Sequence, residues 1–386
     1  MHFRRRLVAF VPIAFLAVVA GYGGNSTTHG AEPTGLIAFM QRGVSGLDRN
    51  FVVRPENGRR HALSFTFAEY HLRHAYGARW SPNGKRLAFV SLSGHRSPSL
   101  ALVRATGTGL VKLTGSWHVA QAPAWSPRGG KLAFIRRSNA GLPKEGSSLW
   151  AIDTATRVKK RLAVSAAGFD PNSPLAWSPN GSRIALSRLD EEVRNYRIYT
   201  VNANTGGLRV LTEGARADWS PDGRRIVFDT GTGLPGFVPA VEVVNADGTG
   251  TRLLADSATQ PRFSPDGTQI AFDSDGRIWT MNANGSDQKQ LTEGLAPAWS
   301  PNGHMIAFLR GSSPYQLYVM NVDGTGQRQL APSRASELDP DWSPDGRRIS
   351  FTRCTSNLLR TCDVTVANVG SSAELSRRRF PPGHSL

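Results

Sequence analysis

A short motif, aromatic-Ser-Pro-x-Gly, occurs seven times in this chain of 386 residues. Its copies begin at Trp80, Trp125, Trp177, Trp219, Phe263, Trp299 and Trp342. The serines of successive copies are 36 to 52 residues apart. This period matches one four-stranded β-propeller blade and is too long for a leucine-rich or ankyrin repeat. The spacing therefore predicts an array of similar units.

Each unit can be divided into four strands joined by tight turns. The motif aromatic ends a first strand, and Ser-Pro-Asp/Asn-Gly then turns the chain, because Pro presets φ and Gly tolerates a positive φ. An apolar second strand follows, as in 269–272, and then a third, as in 278–281. Asn284-Gly285 is typical of a hairpin turn into a fourth strand at 289–292. Because ring closure removes exposed edges, the pattern predicts an all-β propeller of four-stranded antiparallel blades.

The two ends of the array leave the number of blades open. Segments 35–39 and 51–58 repeat the second and third strands without the motif, whereas the last unit has three clear strands and a weak fourth near Leu375. The ends could share one blade of a seven-bladed ring, with some strands left over, or each could form its own blade in an eight-bladed ring. The length of the mature chain corresponds to about eight mean repeats, which favours eight blades.

The repeat resembles that of the TolB-like propellers, also described as WD40-like Pro-Asp repeats. The resemblance is carried by 318–324 (Tyr-Val-Met-Asn-Val-Asp-Gly) and 291–294 (Leu-Thr-Glu-Gly), and it extends over about residues 35–370. It implies the propeller fold. The family includes periplasmic TolB, propeller domains of prolyl-oligopeptidase-like peptidases and pectate-fragment lyases, so it does not by itself imply one function. The repeats begin soon after the N-terminus and no Gly-x-Ser-x-Gly motif occurs, so we expect neither the extra TolB domain nor a peptidase domain.

The N-terminal segment is typical of a secretory signal. Three arginines at 4–6 precede an apolar run at 7–20, followed by small and polar residues. We therefore expect residues 1–30 to be signal and linker, residues 31–372 to be the propeller, and residues 373–386 to be a basic, disordered tail. An uncleaved signal, with weak membrane association, is the alternative. The expected location is extracytoplasmic, either secreted or in the cell envelope or periplasm.

Composition restricts the partners and the redox chemistry. The formal net charge is +17, mostly from arginine, which fits either attraction to anionic polymers or a genome rich in GC. No basic cluster is interleaved with aromatic residues, so nucleic acid is not an expected partner. The two cysteines, Cys354 and Cys362, flank a predicted loop, and in an exported chain such a pair is expected to form a disulfide.

The sequence gives only a weak indication of a metal site. Glu69, His71 and His74 form the one close group, with His118 at the comparable position one unit later. These residues could meet at the channel mouth and bind a metal, or they could be surface residues of a linker. We expect the latter, and thus no metal site, no cofactor and no catalytic residues.

The binding site is predicted at one end of the central channel. Residues just before each motif aromatic should converge there, and they are more polar and more varied than the repeated strands. The candidates are His71, His74, His118, Gln121, Asp170, Asn172, Arg216, Asp218, Gln260, Arg262, Glu337 and Asp339. A mouth that is merely wet and polar, as in any propeller, is the competing interpretation.

These observations favour an exported, non-enzymatic scaffold. Its expected ligand is a protein, a peptide or an anionic envelope polymer bound at one face of the ring, and the protein is expected to be a monomer. The alternative is a carbohydrate-active lyase or hydrolase that uses polar and histidine residues at the mouth.

Overall fold

The structure, a computed structural model, describes three short strands at 37–39, 51–53 and 61–62, and most of the chain from 72 to 369. Within that range it leaves out 94–97, 116, 138–145, 171–172, 191–194, 232–237, 331 and 355–361. All regular elements in the described residues are β-strands.

Thirty strands among the described residues form seven antiparallel sheets. The first three are Ile37–Phe39 (β1), Phe51–Val53 (β2) and His61–Ala62 (β3). Blade 1 contains Leu72–Trp80 (β4), Arg86–Ser93 (β5), Ser99–Arg104 (β6) and Val111–Lys112 (β7). Blade 2 contains Ala124–Trp125 (β8), Lys131–Arg137 (β9), Ser147–Asp153 (β10) and Lys159–Ser165 (β11). Blade 3 contains Ala176–Trp177 (β12), Arg183–Asp190 (β13), Asn195–Asn202 (β14) and Gly206–Glu213 (β15).

The remaining blades follow the same order. Blade 4 contains Ala215–Trp219 (β16), Arg225–Asp229 (β17), Ala240–Asn245 (β18) and Arg252–Asp256 (β19). Blade 5 contains Ala258–Phe263 (β20), Gln269–Ser274 (β21), Arg277–Asn282 (β22) and Lys289–Glu293 (β23). Blade 6 contains Leu295–Trp299 (β24), Met305–Arg310 (β25), Gln316–Asn321 (β26) and Arg328–Gln329 (β27). Blade 7 begins with Ser336–Trp342 (β28), Arg348–Cys354 (β29) and Cys362–Asn368 (β30).

The ring has seven blades, so the expectation of eight is wrong. The fourth strand of blade 7 is β3, which pairs with β30 through His61 opposite Val366 and Ala62 opposite Thr365. Strands β2 and β1 extend the same sheet outwards. The two chain ends thus share one blade, and the surplus strands remain attached to it. A length estimate counts those surplus strands as part of another blade, which is why it favours eight.

The motif aromatics occupy equivalent places, as predicted. Each ends the first strand of its blade, and those first strands contact one another around the ring. Five of the seven side chains are tryptophans whose Nε1 donates to a main-chain oxygen of the preceding blade, for example Trp219 to Ala176 at 3.1 Å. Each motif glycine lies beside the proline of the preceding motif. Gly84 of the first motif lies beside Pro344 of the last, where an added Cβ would be 3.7 Å from the proline, so this contact continues around the closed ring.

The core lies between neighbouring sheets. The second strand of most blades places a phenylalanine at the same position, and Phe89, Phe134, Phe228, Phe272, Phe308 and Phe351 are fully buried. A disulfide joins Cys354 to Cys362 across β29 and β30 in blade 7. The repeated strands therefore form a regular scaffold whose inner strands surround one channel.

Candidate functional site

A cavity of about 910 Å³ lies among the inner strands of the ring. We call it the central cavity. Its lining comprises Tyr76, Arg79, Trp80, Pro82, Ala120, Gln121, Ala122, Pro123, Ala124, Trp125, Arg137, Ser173, Pro174, Leu175, Arg216, Gln260, Arg262, Leu338, Asp339, Asp341, Thr352 and Cys362. Strand β9 runs from the Ser-Pro turn of blade 2 to Arg137, so Arg137 lies at the end of the cavity opposite those turns. We call this the upper end.

A backbone bulge shapes the cavity wall in most blades. The register shifts in the first strand of blades 1, 4, 5, 6 and 7, just before the aromatic. Three residues before that aromatic, Arg216, Gln260 and Asp339 have φ between 51° and 54°. Few non-glycine residues adopt this left-handed conformation, and such bulges often redirect side chains next to functional sites. Here the bulge places polar side chains in the wall of a channel built from apolar strands.

Buried carboxylates support these bulges from the neighbouring blade. Asp229 is fully buried, and its Oδ2 accepts bonds from Gln260 N at 2.9 Å and from Arg216 Nε at 2.7 Å. Asp273 occupies the equivalent position in blade 5, where it accepts a bond from Ala296 N at 3.0 Å and another from the Thr259 hydroxyl. Burial raises the pKa of Asp273. These two acids therefore connect one blade to the next.

Two further aspartates, each beside an arginine, lie at the junction of blades 7 and 1 and at the junction of blades 4 and 5. Asp341 Oδ2 accepts the Trp80 N–H at 2.7 Å, and Asp218 Oδ2 accepts the Phe263 N–H at 2.9 Å. Burial raises the pKa of both carboxyls, and this rise is opposed by Arg79 beside Asp341 and by Arg262 beside Asp218. Each pair joins the end of one inner strand to the start of the turn in the next blade.

The structure places only some of the predicted site residues in the lining of the central cavity. Gln121, Arg216, Gln260, Arg262 and Asp339 line the central cavity. Asp218 lies behind that lining in its pair with Arg262, while His118 and Asp170 are outside it. His71 and Asn172 are outside the described residues, as is the side chain of His74.

Glu337 and Gln121 have structural contacts. Glu337 is fully buried and accepts bonds from Leu317 N at 2.9 Å, Ser333 Oγ at 3.0 Å and Arg353 Nη2 at 2.9 Å. With its amide oriented to donate, Gln121 bonds the main-chain oxygens of Asp170 at 3.0 Å and Ser173 at 3.3 Å. Both side chains thus hold the protein together around the cavity.

Sequence reasoning missed four ionisable residues of the wall, namely Tyr76, Arg79, Arg137 and Asp341. Arg79 and Asp341 directly precede a motif aromatic, and Tyr76 lies four residues before one. Arg137 ends the second strand of its blade. Superimposing all the motif copies and comparing the variable positions on both strands would have found them.

The described residues contain no group of three or more His, Cys, Asp or Glu side chains that could hold a metal ion. Glu69 and His71, from the histidine group considered above, are outside the described residues. Within the part of the chain that the structure describes, no helix is long and apolar enough to span a membrane.

Fold and cavity together define a seven-bladed β-propeller with a polar central cavity. Residues 141–309 match the family model of the TolB beta propeller domain, and this match supports the resemblance of the repeats to those of TolB-like propellers.

Solved structures share this fold at low sequence identity. Oligogalacturonate lyase from Vibrio parahaemolyticus is 14% identical over 87% of this chain and 98% of its own, with a TM-score of 0.65. An oligogalacturonate lyase in complex with manganese is 16% identical over 88% of this chain and 98% of its own, with a TM-score of 0.64. TolB from Acinetobacter baumannii is 19% identical over 68% of this chain and 67% of its own, with a TM-score of 0.50. These likenesses establish the fold alone.

Proposed function

We propose that this protein is an exported binding protein without catalytic activity, and that it holds a protein or peptide ligand at the upper end of the central cavity. The observation that carries the proposal is the use of the acids in and around the cavity. Asp218, Asp229, Asp273 and Asp341 each accept a main-chain N–H of the next blade. These hydrogen bonds hold the walls of the cavity in place, and a preformed cavity of this kind suits ligand binding.

A buried acid with a raised pKa can also act in catalysis, and Asp341 meets that description. Its counterpart argues for a structural role. Asp218 likewise accepts the N–H of a motif aromatic and lies beside an arginine, and burial raises its pKa in the same way. It nevertheless lies outside the cavity lining. A feature repeated at two blade junctions is better explained by joining blades than by acting on a substrate.

The competing function is a carbohydrate-active enzyme. It draws on the fold shared with oligogalacturonate lyases, one of which is described with manganese. Fold likeness does not carry chemistry with it. A metal-dependent reaction would need a group of metal ligands, and the described residues contain no group of three or more His, Cys, Asp or Glu side chains that could provide one.

Location and partners complete the proposal. Export rests on the arginines at 4–6 and the apolar run at 7–20. We propose a monomer that does not bind nucleic acid, in which the net charge of +17 assists encounter with anionic partners at the cell envelope.

The test is to obstruct the cavity without changing charge. Gln260 lines it, and the side chain makes no hydrogen bond among the described residues, so Gln260→Trp should fill space there. Gln290→Trp, on the exposed outer strand β23, is the matched control. The immobilised wild-type protein and the control should capture the same ligand from an envelope fraction, and Gln260→Trp should lose it. Equal capture by all three would place the site elsewhere and refute the proposal.

A further inference from the structure

Some of the charged residues that line the central cavity lie beside a group of opposite charge, and others do not. Arg216 is bound to Asp229 at 2.7 Å, whereas Arg79 and Arg262 lie beside the buried carboxylates of Asp341 and Asp218. Each of these three guanidinium groups therefore has an acid that offsets its charge. A ligand would gain little from them, because a neutralised pair presents a weak field to its surroundings.

Two lining residues of opposite charge differ from the rest. Arg137 and Asp339 are both exposed, and neither side chain has a hydrogen bond or salt bridge among the described residues. Both line the central cavity, Arg137 at the end of β9 in blade 2 and Asp339 at the bulge of β28 in blade 7. An exposed, uncommitted charge of each sign is thus available to an incoming molecule.

The half-buried Tyr76 is influenced by both of these charges. It lines the same cavity, and the charges of both residues influence its hydroxyl. Burial raises the pKa of Tyr76, Arg137 lowers it and Asp339 raises it. The hydroxyl consequently remains protonated at neutral pH and can donate a hydrogen bond to a ligand in the cavity.

We propose that the upper end of the central cavity binds a peptide segment that carries a free α-ammonium and a nearby carboxylate, with Asp339 taking the ammonium and Arg137 the carboxylate. This inference rests on the proposed binding function and names its ligand class. The apolar walls formed by Pro123, Pro174, Leu175 and Leu338 suit the short uncharged part of such a peptide.

A simple polyanion fits the same wall less well. Three of the four lining arginines are offset by acids, and Asp339 adds a negative charge that would repel a carboxylate. A simple cation meets the converse obstacle at Arg137. A molecule bearing both charges matches both residues at once.

The first experiment uses tetraalanine as the ligand and calorimetry as the readout. It compares the zwitterionic peptide with its N-acetylated and C-amidated forms on the wild-type, full-length mature protein. Each block removes one charge-assisted contact, and each should weaken binding about tenfold or more. A C-amidated peptide with a glutamate near its free amine tests whether a side-chain carboxylate suffices, which would indicate the N-terminus of a protein rather than a free peptide.

The second experiment assigns the contacts by crossing ligands with variants. Asp339→Asn should weaken the zwitterionic and amidated peptides about tenfold, yet leave the acetylated peptide nearly unchanged. Arg137→Gln should weaken the zwitterionic and acetylated peptides, yet leave the amidated peptide nearly unchanged. Arg224→Gln and Asp256→Asn are exposed controls outside the lining, and both should bind all the peptides as wild type does.

The outcomes separate the inference from the proposed function. Equal affinity for blocked and zwitterionic peptides, or the same response to every ligand in both variants, overturns the inference while leaving cavity binding intact. Failure of every zwitterionic peptide of roughly two to five residues to bind also overturns it. Equal capture of the envelope ligand by the wild type, Gln260→Trp and Gln290→Trp instead overturns the proposed function.

Discussion

The third residue after the motif aromatic is Asp in some copies and Asn in others, and both make the same turn. Ser220 Oγ donates to Asp222 Oδ1 at 2.5 Å, and Ser178 Oγ donates to Asn180 Oδ1 at 2.8 Å. In each case the same oxygen also accepts the N–H two residues further on. These bonds favour the charged form, so the pKa of Asp222 is lowered. The copies with Asn thus show that the turn forms without the negative charge that Asp carries.

Asp222→Asn should preserve the turn and remove one source of pH dependence. A lowered carboxyl pKa contributes stability above the unfolded value of 3.8, and that contribution disappears as the pH falls through the folded pKa. We therefore expect the wild type to exceed the variant in stability at neutral pH by more than it does in strong acid. Urea unfolding at several pH values measures this. A stability difference that does not vary with pH would contradict the assignment.

The motif tryptophans allow a second test at the scale of single residues. Trp219 and Trp80 are similarly buried, but Trp219 Nε1 donates to Ala176 O, whereas Trp80 Nε1 has no partner among the described residues. Replacing either with Phe removes similar ring area, and Phe263 shows that Phe fits this position. Trp219→Phe should cost about 1 kcal/mol more than Trp80→Phe, because only it loses a hydrogen bond. Equal costs in chemical denaturation would refute the inter-blade role of the indole.

The outer strands show how neighbouring blades are joined at the rim. Arg209 Nη2 on β15 donates to Asp247 O at 2.8 Å, and Lys289 Nζ on β23 donates to Asp323 O at 3.1 Å. Each oxygen belongs to the hairpin turn of the following blade. Basic side chains on an edge strand also discourage pairing with other chains. Part of the large positive charge is thus used in the scaffold itself.

Closure of blade 7 can be tested by deletion. Removal of 35–62 eliminates β1–β3 and exposes the edge of β30, whereas removal of 373–386 should leave every described strand in place. The first deletion should lower Tm by about 5 °C or more and promote oligomers, and the second should change neither. Thermal unfolding and size-exclusion chromatography provide the measurements. If the C-terminal deletion were the more damaging one, the segment near Leu375 would be the closing strand after all.

Local chemistry predicted the elements better than it predicted ring closure. Ser-Pro-Asp-Gly and Asn-Gly turns act over a few residues, so the strand order within a blade could be read directly from the sequence. The pairing of β3 with β30 joins residues some three hundred positions apart, and no local pattern in the two-residue β3 encodes it. Of the site, Arg216, Gln260 and Asp339 were predictable from their place before an aromatic. Arg137 ends the second strand of its blade instead, so it is found only when the variable positions of that strand are compared as well.

At the scale of the whole molecule, the sequence predicts an exported protein. The arginines at 4–6 and the apolar run at 7–20 should direct secretion and cleavage between about residues 20 and 31. N-terminal sequencing of the envelope or extracellular fraction measures this directly. A cytoplasmic product that still begins at Met1 would refute the export claim.

The central claim is that the propeller binds its ligand and does not transform it. The most direct test incubates the mature protein with a large molar excess of tetraalanine, or of oligogalacturonate with manganese, and follows both ligands by mass spectrometry. We predict that every ligand is recovered intact, because the acids joining the blades are committed to main-chain N–H groups. Product formed in several turnovers per protein molecule, and lost in Gln260→Trp, would show that the cavity is an active site and contradict the account.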